Sequence, residues 1–281
     1  MEFIKNITDI DAVQLQKRVD EIVNKNLPEE RKTTLRKIIS FIDLTSLGAN
    51  DTEQKIIDLC EKAKNTFDTE NQIPSVGAVC VYPTLVQTAK KQLKNTTIPV
   101  AAVSTSFPSG MSPLFIKETE VKYAIEQGAD EIDMVISRGK FLDKKYQEVF
   151  DEIKAIKKTC GDTHLKVILE TGELESPTNV SIASKIAIEA GGDFIKTSTG
   201  KINPAATQPE FLVMLDAIKE HHEKTGKKIG IKPAGGISDN ETAIQFYKLV
   251  YFTLGKEWMN NKLFRIGASR LASNVISEIK G

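Results

Sequence analysis

The chain of 281 residues has few of the residue types on which several protein classes depend. Its three cysteines, Cys60, Cys80 and Cys160, are odd in number and show no CxxC spacing. A disulfide framework or a cysteine-based zinc site is therefore not predicted. Reduced thiols are typical of the cytosol, so we expect a cytoplasmic protein.

Histidine is equally scarce. His164 precedes a predicted strand, and His221 and His222 are adjacent in a predicted helix, where neighbouring side chains do not face each other. A metal centre would need several His and carboxylate ligands that converge on one ion. We therefore predict neither a metal nor any other cofactor.

The chain also has no excess charge and no long apolar run. Its 38 basic and 38 acidic residues give a formal net charge of zero, so neither nucleic acid nor an anionic membrane is an expected partner. No apolar run approaches the roughly 18 residues of a membrane span. Acidic residues interrupt the N-terminal stretch MEFIKNITDIDAVQ, where a signal peptide would be continuously apolar.

What the chain does contain is an alternation of short Val- and Ile-rich runs with amphipathic stretches of helical length. The predicted strands are residues 38–44, 76–81, 100–105, 131–137, 165–170, 193–198, 228–233 and 264–269. Eight strand–helix units in succession predict an α/β fold, a (β/α)8 TIM barrel. A doubly wound open sheet is the alternative, but its G-x-G-x-x-G fingerprint does not follow the first strand.

No linker or low-complexity segment divides the chain, so one barrel domain over residues 1–281 is the simplest organisation. Residues 1–37 are predicted to form a helical extension of one or two helices, interrupted at Pro28.

Charged residues occupy strand positions that should face the barrel interior. Side chains alternate between the two faces of a strand, and in four successive strands the inward set contains Asp133, Lys166, Lys196 and Lys232. Each lysine alone could instead reach solvent at the rim. Four together favour a functional cluster, because burying several lysines around one carboxylate costs several kcal/mol.

Amine catalysis is the chemistry that needs such a cluster. A free lysine has a pKa of about 10.4 and is almost entirely the ammonium at neutral pH. Burial and a neighbouring ammonium both lower that pKa and make the amine a nucleophile. The alternation of residues does not say which lysine attacks.

Three glycine-containing turns follow the last three predicted strands, where TIM barrels often bind a phosphate group. Backbone N–H groups in such turns and at helix N-termini favour anions, although each turn alone is a weak signal. The candidate residues are Thr199, Gly200, Lys201, Gly235, Gly236, Gly267 and Ser269.

Taken in order, several segments resemble the deoxyribose-phosphate aldolase family from about Asp43 to Ser269. These segments are IDLT, AVCVYP, VSTSFPSG, GADEIDMVI, LKVILETGEL, GGDFIKTSTGK, KPAGGIS and FRIGAS. The resemblance implies a metal-independent class I aldolase. Such an enzyme cleaves 2-deoxy-D-ribose 5-phosphate reversibly to D-glyceraldehyde 3-phosphate and acetaldehyde, in deoxyribonucleoside catabolism.

The resemblance also implies roles for individual residues. Lys196 would form the imine, Lys232 would tune its reactivity, and Asp133 would relay protons. Further residues of the site would be Lys166, Asp43 and Cys80. Phosphate contacts would fall on Gly200, Lys201, Gly235, Gly236, Gly267 and Ser269.

Two departures from the family pattern concern Arg270, where some members have a second serine, and the ending SEIKG, which lacks a terminal tyrosine. Three alternatives remain: a metal-dependent aldolase, a Schiff-base barrel acting on a ketose phosphate, and a non-catalytic sugar-phosphate-binding protein. We expect a small-molecule sugar phosphate as the partner and a homo-oligomer, either a dimer or a tetramer.

Overall fold

The computed structural model describes residues 1–5 and 7–281; Asn6, which opens an N-x-T sequence in the predicted extension, lies outside the described residues. The strands form one parallel sheet, with each strand beside the next along the chain and the eighth beside the first. They are β1 Ile42–Thr45, β2 Ala78–Val81, β3 Val100–Ser104, β4 Glu131–Val135, β5 His164–Ile168, β6 Phe194–Lys196, β7 Gly230–Lys232 and β8 Ile266–Ala268.

The sheet is nearly closed between β7 and β8. Single bridges join Ile231 to Phe264 and Ala234 to Gly267. Arg265 donates its main-chain N–H to the carbonyl of Ile231 at 3.0 Å. The predicted (β/α)8 barrel is therefore confirmed.

Helices follow the strands and cover the outside of the barrel. In the described ranges 1–5 and 7–281 the α-helices are α1 Ala12–Val23, α2 Arg31–Phe41, α3 Glu53–Lys64, α4 Val86–Gln92, α5 Leu114–Glu126, α6 Arg138–Leu142, α7 Tyr146–Cys160, α8 Pro177–Glu189, α9 Gln208–Thr225, α10 Asn240–Leu254 and α11 Leu271–Lys280. Within that part of the chain, no helix combines the length and the apolar character that a membrane crossing requires.

The start of the first strand differs from the prediction. Residues 38–41 complete helix α2, and β1 begins at Ile42 rather than at residue 38. Ile38, Ile39 and Phe41 are buried along the inner side of this helix. A short apolar run fits a buried helix as well as a buried strand, and periodicity does not separate the two. The helical extension thus ends at Phe41 rather than at residue 37.

The helix pair α1 and α2 packs on the outer layer of helices. Asp11 caps the N-terminus of helix α1: its carboxylate accepts from the N–H groups of Val13 and Gln14. Arg18 of α1 forms an ion pair of 2.8 Å with Asp216 of α9. Both pair members are exposed, so apolar burial contributes more than this pair to holding the extension.

Alternation along the strands separates two apolar regions. The outward-facing residues, such as Ile132 and Met134 of β4, belong to a large core between sheet and helices. A smaller cluster inside the barrel contains Cys80, Val103 and Ile168 among its residues. Interior positions that are not apolar carry the charged side chains of the candidate site.

Phe194 and Gly230 build the interior layer below that site. They are register partners on β6 and β7, and the next inward pair above them is Lys196 and Lys232. A Cβ atom on Gly230 would lie 2.4–2.5 Å from ring atoms of Phe194. The glycine therefore makes room for the ring, which fills the barrel under the two lysines.

Candidate active site

Asp133 lies at the centre of the barrel and accepts from three lysines. Its Oδ1 is 2.8 Å from Nζ of Lys166, and its Oδ2 is 2.8 Å from Nζ of both Lys196 and Lys232. The four side chains come from β4, β5, β6 and β7, and each is buried. The register that the sequence predicted for these strands places all four residues in one interior.

Asp43 extends this group towards β1. One of its oxygens accepts from Lys232 at 2.5 Å, and the other accepts from Nη1 of Arg265 at 2.7 Å. Burial would raise the pKa of Asp43, but Lys232 and Arg265 hold the pKa below its usual range. Asp43 is therefore a fixed carboxylate that joins the two cations.

Glu131 completes a closed circuit. It accepts from Nη2 of Arg265 at 2.7 Å and from Nζ of Lys166 at 2.5 Å. Cations and carboxylates consequently alternate around the barrel, each bonded to the next. We refer to this arrangement as the charged ring, formed by Asp43, Lys232, Asp133, Lys166, Glu131 and Arg265.

The charged ring is neutral when all its members are ionised, because its three carboxylates match its two lysines and one arginine. Lys196 is bonded to the ring through Asp133 but is not a member of the circuit. A charged Lys196 would leave one unbalanced cation in a buried site, where desolvation disfavours it. The arrangement therefore favours the neutral amine at this one position.

The pKa values of Lys196 and Lys232 shift in opposite directions, in agreement with their different positions relative to the charged ring. Burial lowers the pKa of Lys196; the Asp133 carboxylate opposes this effect and the Lys232 ammonium adds to it, and the pKa ends below that of a free lysine. Burial would also lower the pKa of Lys232, but Asp133 and Asp43 outweigh it and raise that pKa. Of these two lysines, Lys196 is the candidate nucleophile and Lys232 the lasting ammonium.

The pKa shifts of Lys166 and Asp133 agree with this assignment. Burial acts to lower the pKa of Lys166, but Asp133 and Glu131 raise it above the usual lysine value. Burial acts to raise the pKa of Asp133, but the lysines hold it well below the usual aspartate range. Both groups are thus charged at neutral pH.

A pocket of about 510 Å³ opens above Lys196 at the carboxyl ends of the strands. Lys196 lines it, whereas the charged ring lies behind. The residues that the sequence assigned to phosphate binding all line this pocket: Thr199, Gly200, Lys201, Gly235, Gly236, Gly267 and Ser269. The structure therefore brings the predicted amine and the predicted anion loops to one cavity.

Two of these loops touch. Gly200 and Gly235 both have left-handed backbone, with φ of 75° and 85°. A Cβ on Gly235 would lie 2.6 Å from Cβ of Ala205 and 3.0 Å from Cα of Gly200. Both conformation and contact thus require glycine at position 235. The resulting bare backbone can approach an anion closely.

Cationic side chains surround the same cavity. The ammonium of Lys201 donates to the carbonyl of Leu47, and that of Lys55 pairs with Asp51. Arg270, at the start of α11, is exposed, and its guanidinium forms no ion pair within residues 1–5 and 7–281. Arg270 and Lys201, unlike Lys55, are thus pocket cations whose charge is not neutralised by a carboxylate in the described part of the chain.

Glu170 is a functional candidate that sequence reasoning did not single out. It follows β5 with left-handed backbone, φ of 57°, and its buried carboxylate accepts from the N–H and hydroxyl of Thr199 at 3.0 and 2.5 Å. Arg138 donates to it at 3.2 Å. Burial raises the pKa of Glu170. Glu170 fixes the loop after β6, which carries Gly200 and Lys201.

Cys80 takes a different position from the other predicted residues. It is buried on β2 among the apolar residues of the barrel interior and is not part of the pocket lining. Burial raises the pKa of its thiol, which disfavours the thiolate.

Arg265 and Glu131 were also missed as site residues. Glu131 stands on the predicted inward face of its strand, and Arg265 lies in the predicted eighth strand two residues before Gly267. Tracing the alternation through that strand would have placed Arg265 inside the barrel. No group of three or more His, Cys, Asp or Glu side chains is arranged to hold a metal ion in the part of the chain that the structure describes.

Comparison with known proteins identifies the family of this chain. The family model of the DeoC/LacD aldolases matches residues 37–253. Deoxyribose-phosphate aldolase of Homo sapiens is 46% identical over 255 residues, 87% of this chain and 80% of that protein. The protein of that name from Mus musculus is 45% identical, with the same coverage. A solved structure, the tetrameric deoxyribose phosphate aldolase of Aeropyrum pernix, has the same fold, with a TM-score of 0.67 at 22% identity, covering 97% of this chain and 99% of that one. The chain belongs to the DeoC/LacD family of aldolases.

Proposed function

We propose that this aldolase acts through a Schiff base on 2-deoxy-D-ribose 5-phosphate, giving D-glyceraldehyde 3-phosphate and acetaldehyde reversibly. The observation that carries the proposal is the position of Lys196, a buried amine outside the neutral charged ring that lines the pocket floor beside Asp133. The names of the human and mouse relatives support the substrate. On this proposal the enzyme serves deoxyribonucleoside catabolism.

The first half of the reaction makes the imine. The neutral amine of Lys196 attacks the C1 aldehyde of the open-chain sugar, and the carbinolamine then loses water. Asp133 accepts from Nζ of Lys196 through Oδ2, and Lys232 donates to the same oxygen. These two groups accept and supply the protons of this step. The product is a protonated imine, which withdraws electrons from the sugar chain.

The second half breaks the carbon–carbon bond. Asp133, through a water molecule, accepts the proton of the C3 hydroxyl, the C3–O bond becomes the new carbonyl, and the electrons of the C2–C3 bond pass to the imine nitrogen. This cleavage releases D-glyceraldehyde 3-phosphate and leaves an enamine on Lys196. Protonation of the enamine carbon and hydrolysis of the imine then release acetaldehyde and restore the amine.

The phosphate is proposed to lie at the opposite side of the cavity, against the loops after β6, β7 and β8. Left-handed glycines expose backbone N–H groups there, and helix α11 begins directly after Arg270. Helix N-termini favour anions through their free N–H groups and their dipole. These features support a phosphorylated substrate over a neutral one.

Two rival functions share parts of this site: a Schiff-base aldolase acting on a ketose phosphate, and a sugar-phosphate-binding protein without catalysis. Borohydride reduction with acetaldehyde, followed by peptide mapping, separates them. We expect a two-carbon adduct on Lys196 and none in Lys196→Ala, which should also lose turnover. Trapping with dihydroxyacetone phosphate but not acetaldehyde would favour the ketose reaction, and no adduct with either would leave binding alone.

We also propose that copies of the chain associate. The related Aeropyrum pernix enzyme is described as tetrameric. Large apolar side chains are exposed around the start of helix α5, Met111 and Phe115 most of all. Light scattering of the purified protein tests the proposal, and a monomer at all concentrations would contradict it.

A further inference from the structure

Arg265 and Glu131 touch neither Lys196 nor the pocket, yet they belong to the same connected group of charges. Arg265 donates to Glu131 at 2.7 Å on one side and to Asp43 at 2.7 Å on the other. Arg265 is 5% exposed and Glu131 is 6% exposed. Burying this additional pair costs free energy that an apolar pair of similar size would not, so the pair calls for an explanation beyond stability.

That explanation follows from the charges that surround Lys196. Ionisable groups from most strands of the barrel face Lys196. The exceptions are β3, whose interior positions are apolar or hydroxylated, and β6, which bears Lys196 itself. The ionisable groups are Asp43 from β1, Cys80 from β2, Glu131 and Asp133 from β4, Lys166 from β5, Lys232 from β7 and Arg265 from the residue before β8. With the thiol of Cys80 protonated, the remaining charges cancel.

We infer that Arg265 and Glu131 are positioning residues that set the charge balance of the barrel interior and thereby leave Lys196 as the uncharged amine. Removing Glu131 gives the ring one excess positive charge, which disfavours an ammonium at Lys196. Removing Arg265 gives one excess negative charge, which favours it. In a buried site such charges are weakly screened and act beyond their direct contacts.

The inference rests on the proposed function of Lys196 as the attacking amine, but its test does not depend on turnover. The measured quantity is the pH at which Lys196 becomes half-reactive towards trace acetic anhydride, followed by peptide mapping. Glu131→Gln should lower this midpoint by on the order of one pH unit, and Arg265→Met should raise it by a similar amount. The double variant, neutral again, should return close to the unmodified protein.

If Glu131 and Arg265 had only a structural role, their single variants would not shift the labelling midpoint in opposite directions, and the double variant would not cancel the two shifts. Glu152→Gln is the matched control: Glu152 is 4% exposed and pairs with the buried Lys117 at 2.7 Å, but outside the barrel, between α5 and α7. It should leave the midpoint unchanged. If Arg265→Met does not fold, Glu131→Gln and the double variant still give the two required midpoints.

Shifts of the same sign in both single variants, or a double variant that stays displaced, would overturn the inference. An unshifted midpoint in Glu131→Gln would do the same. Failure of the proposed function is a separate result, since it would appear as no acetaldehyde adduct on Lys196 in the unmodified protein. Labelling midpoints and adduct formation therefore test the two proposals independently.

Discussion

Lys196 and Lys232 share one oxygen atom: the Nζ atoms of both lie 2.8 Å from Oδ2 of Asp133. The pKa of Lys196 is lowered by burial and by the neighbouring Lys232, whereas Asp133 and Asp43 raise that of Lys232. Two identical side chains at one acceptor are thus divided into an amine and an ammonium. The second carboxylate, Asp43, makes the difference, because it contacts Lys232 and not Lys196.

Lys232→Leu tests this division of roles. Removal of a cation leaves the three carboxylates of the ring in excess, which favours the ammonium at Lys196 and raises its pKa. The pH optimum for imine trapping should therefore move upward by one unit or more, on the order of the shifts that nearby charges cause. The pH profile of borohydride trapping measures it, and an unchanged profile would argue against the role of Lys232.

A matched control for this variant is Lys117→Leu. Lys117 is also fully buried and ion-paired, but with Glu152 on the outside of the barrel. Both variants remove a cationic partner from a buried carboxylate and should lose roughly 3–5 kcal/mol of stability. The shift of the pH profile should appear in Lys232→Leu alone.

Arg270→Ser tests the phosphate end of the pocket. Because the Arg270 guanidinium has no carboxylate partner in the described chain, its charge is available to the substrate. The KM for 2-deoxyribose 5-phosphate should rise about tenfold, equivalent to about 1.4 kcal/mol, with kcat little changed. The kinetics of unphosphorylated 2-deoxyribose should not respond. Lys262→Ser, which removes an exposed cation lining a separate pocket, is the control and should behave as the unmodified protein.

Glu170→Gln tests the loop after β6. The Glu170 carboxylate holds both the N–H and the hydroxyl of Thr199, so the amide should loosen the segment that carries Gly200 and Lys201. We expect a KM several-fold higher for the phosphorylated substrate and a smaller change in kcat. Glu173→Gln removes the other, more exposed carboxylate bound to Arg138 and should have little effect. Equal effects in both variants would assign the change to Arg138 instead.

Gly230→Ala tests the packing beneath the lysines. The added methyl would collide with the Phe194 ring, and such overpacking typically costs about 1–3 kcal/mol. Denaturant unfolding measures the loss, and Phe194→Leu in the same chain should restore part of it. Gly139→Ala, whose methyl would meet no atom within 4 Å, should be neutral or slightly stabilising. Full stability in Gly230→Ala would show that the ring has room to move.

Alternation of side chains was sufficient to predict the interior positions of Asp133, Lys166, Lys196 and Lys232, because register in a barrel with a packed exterior is strongly constrained. It did not predict the end of helix α2, since Ile38 and Ile39 suit either kind of buried element. Nor could it predict which carboxylate meets which cation. Those pairings depend on the tilt and closure of strands distant in sequence, as Arg265 and Glu131 illustrate.

The alternation of charges in the charged ring limits which substitutions its six positions can tolerate. Any single replacement that removes a charge takes one of two partners from each neighbouring ion and leaves an unbalanced buried charge, which is more costly than losing two neighbouring opposite charges together. Tolerated changes should therefore occur as correlated exchanges of neighbouring members, such as Glu131 together with Arg265. Among related aldolases, these two positions are expected to covary as a pair rather than drift one at a time.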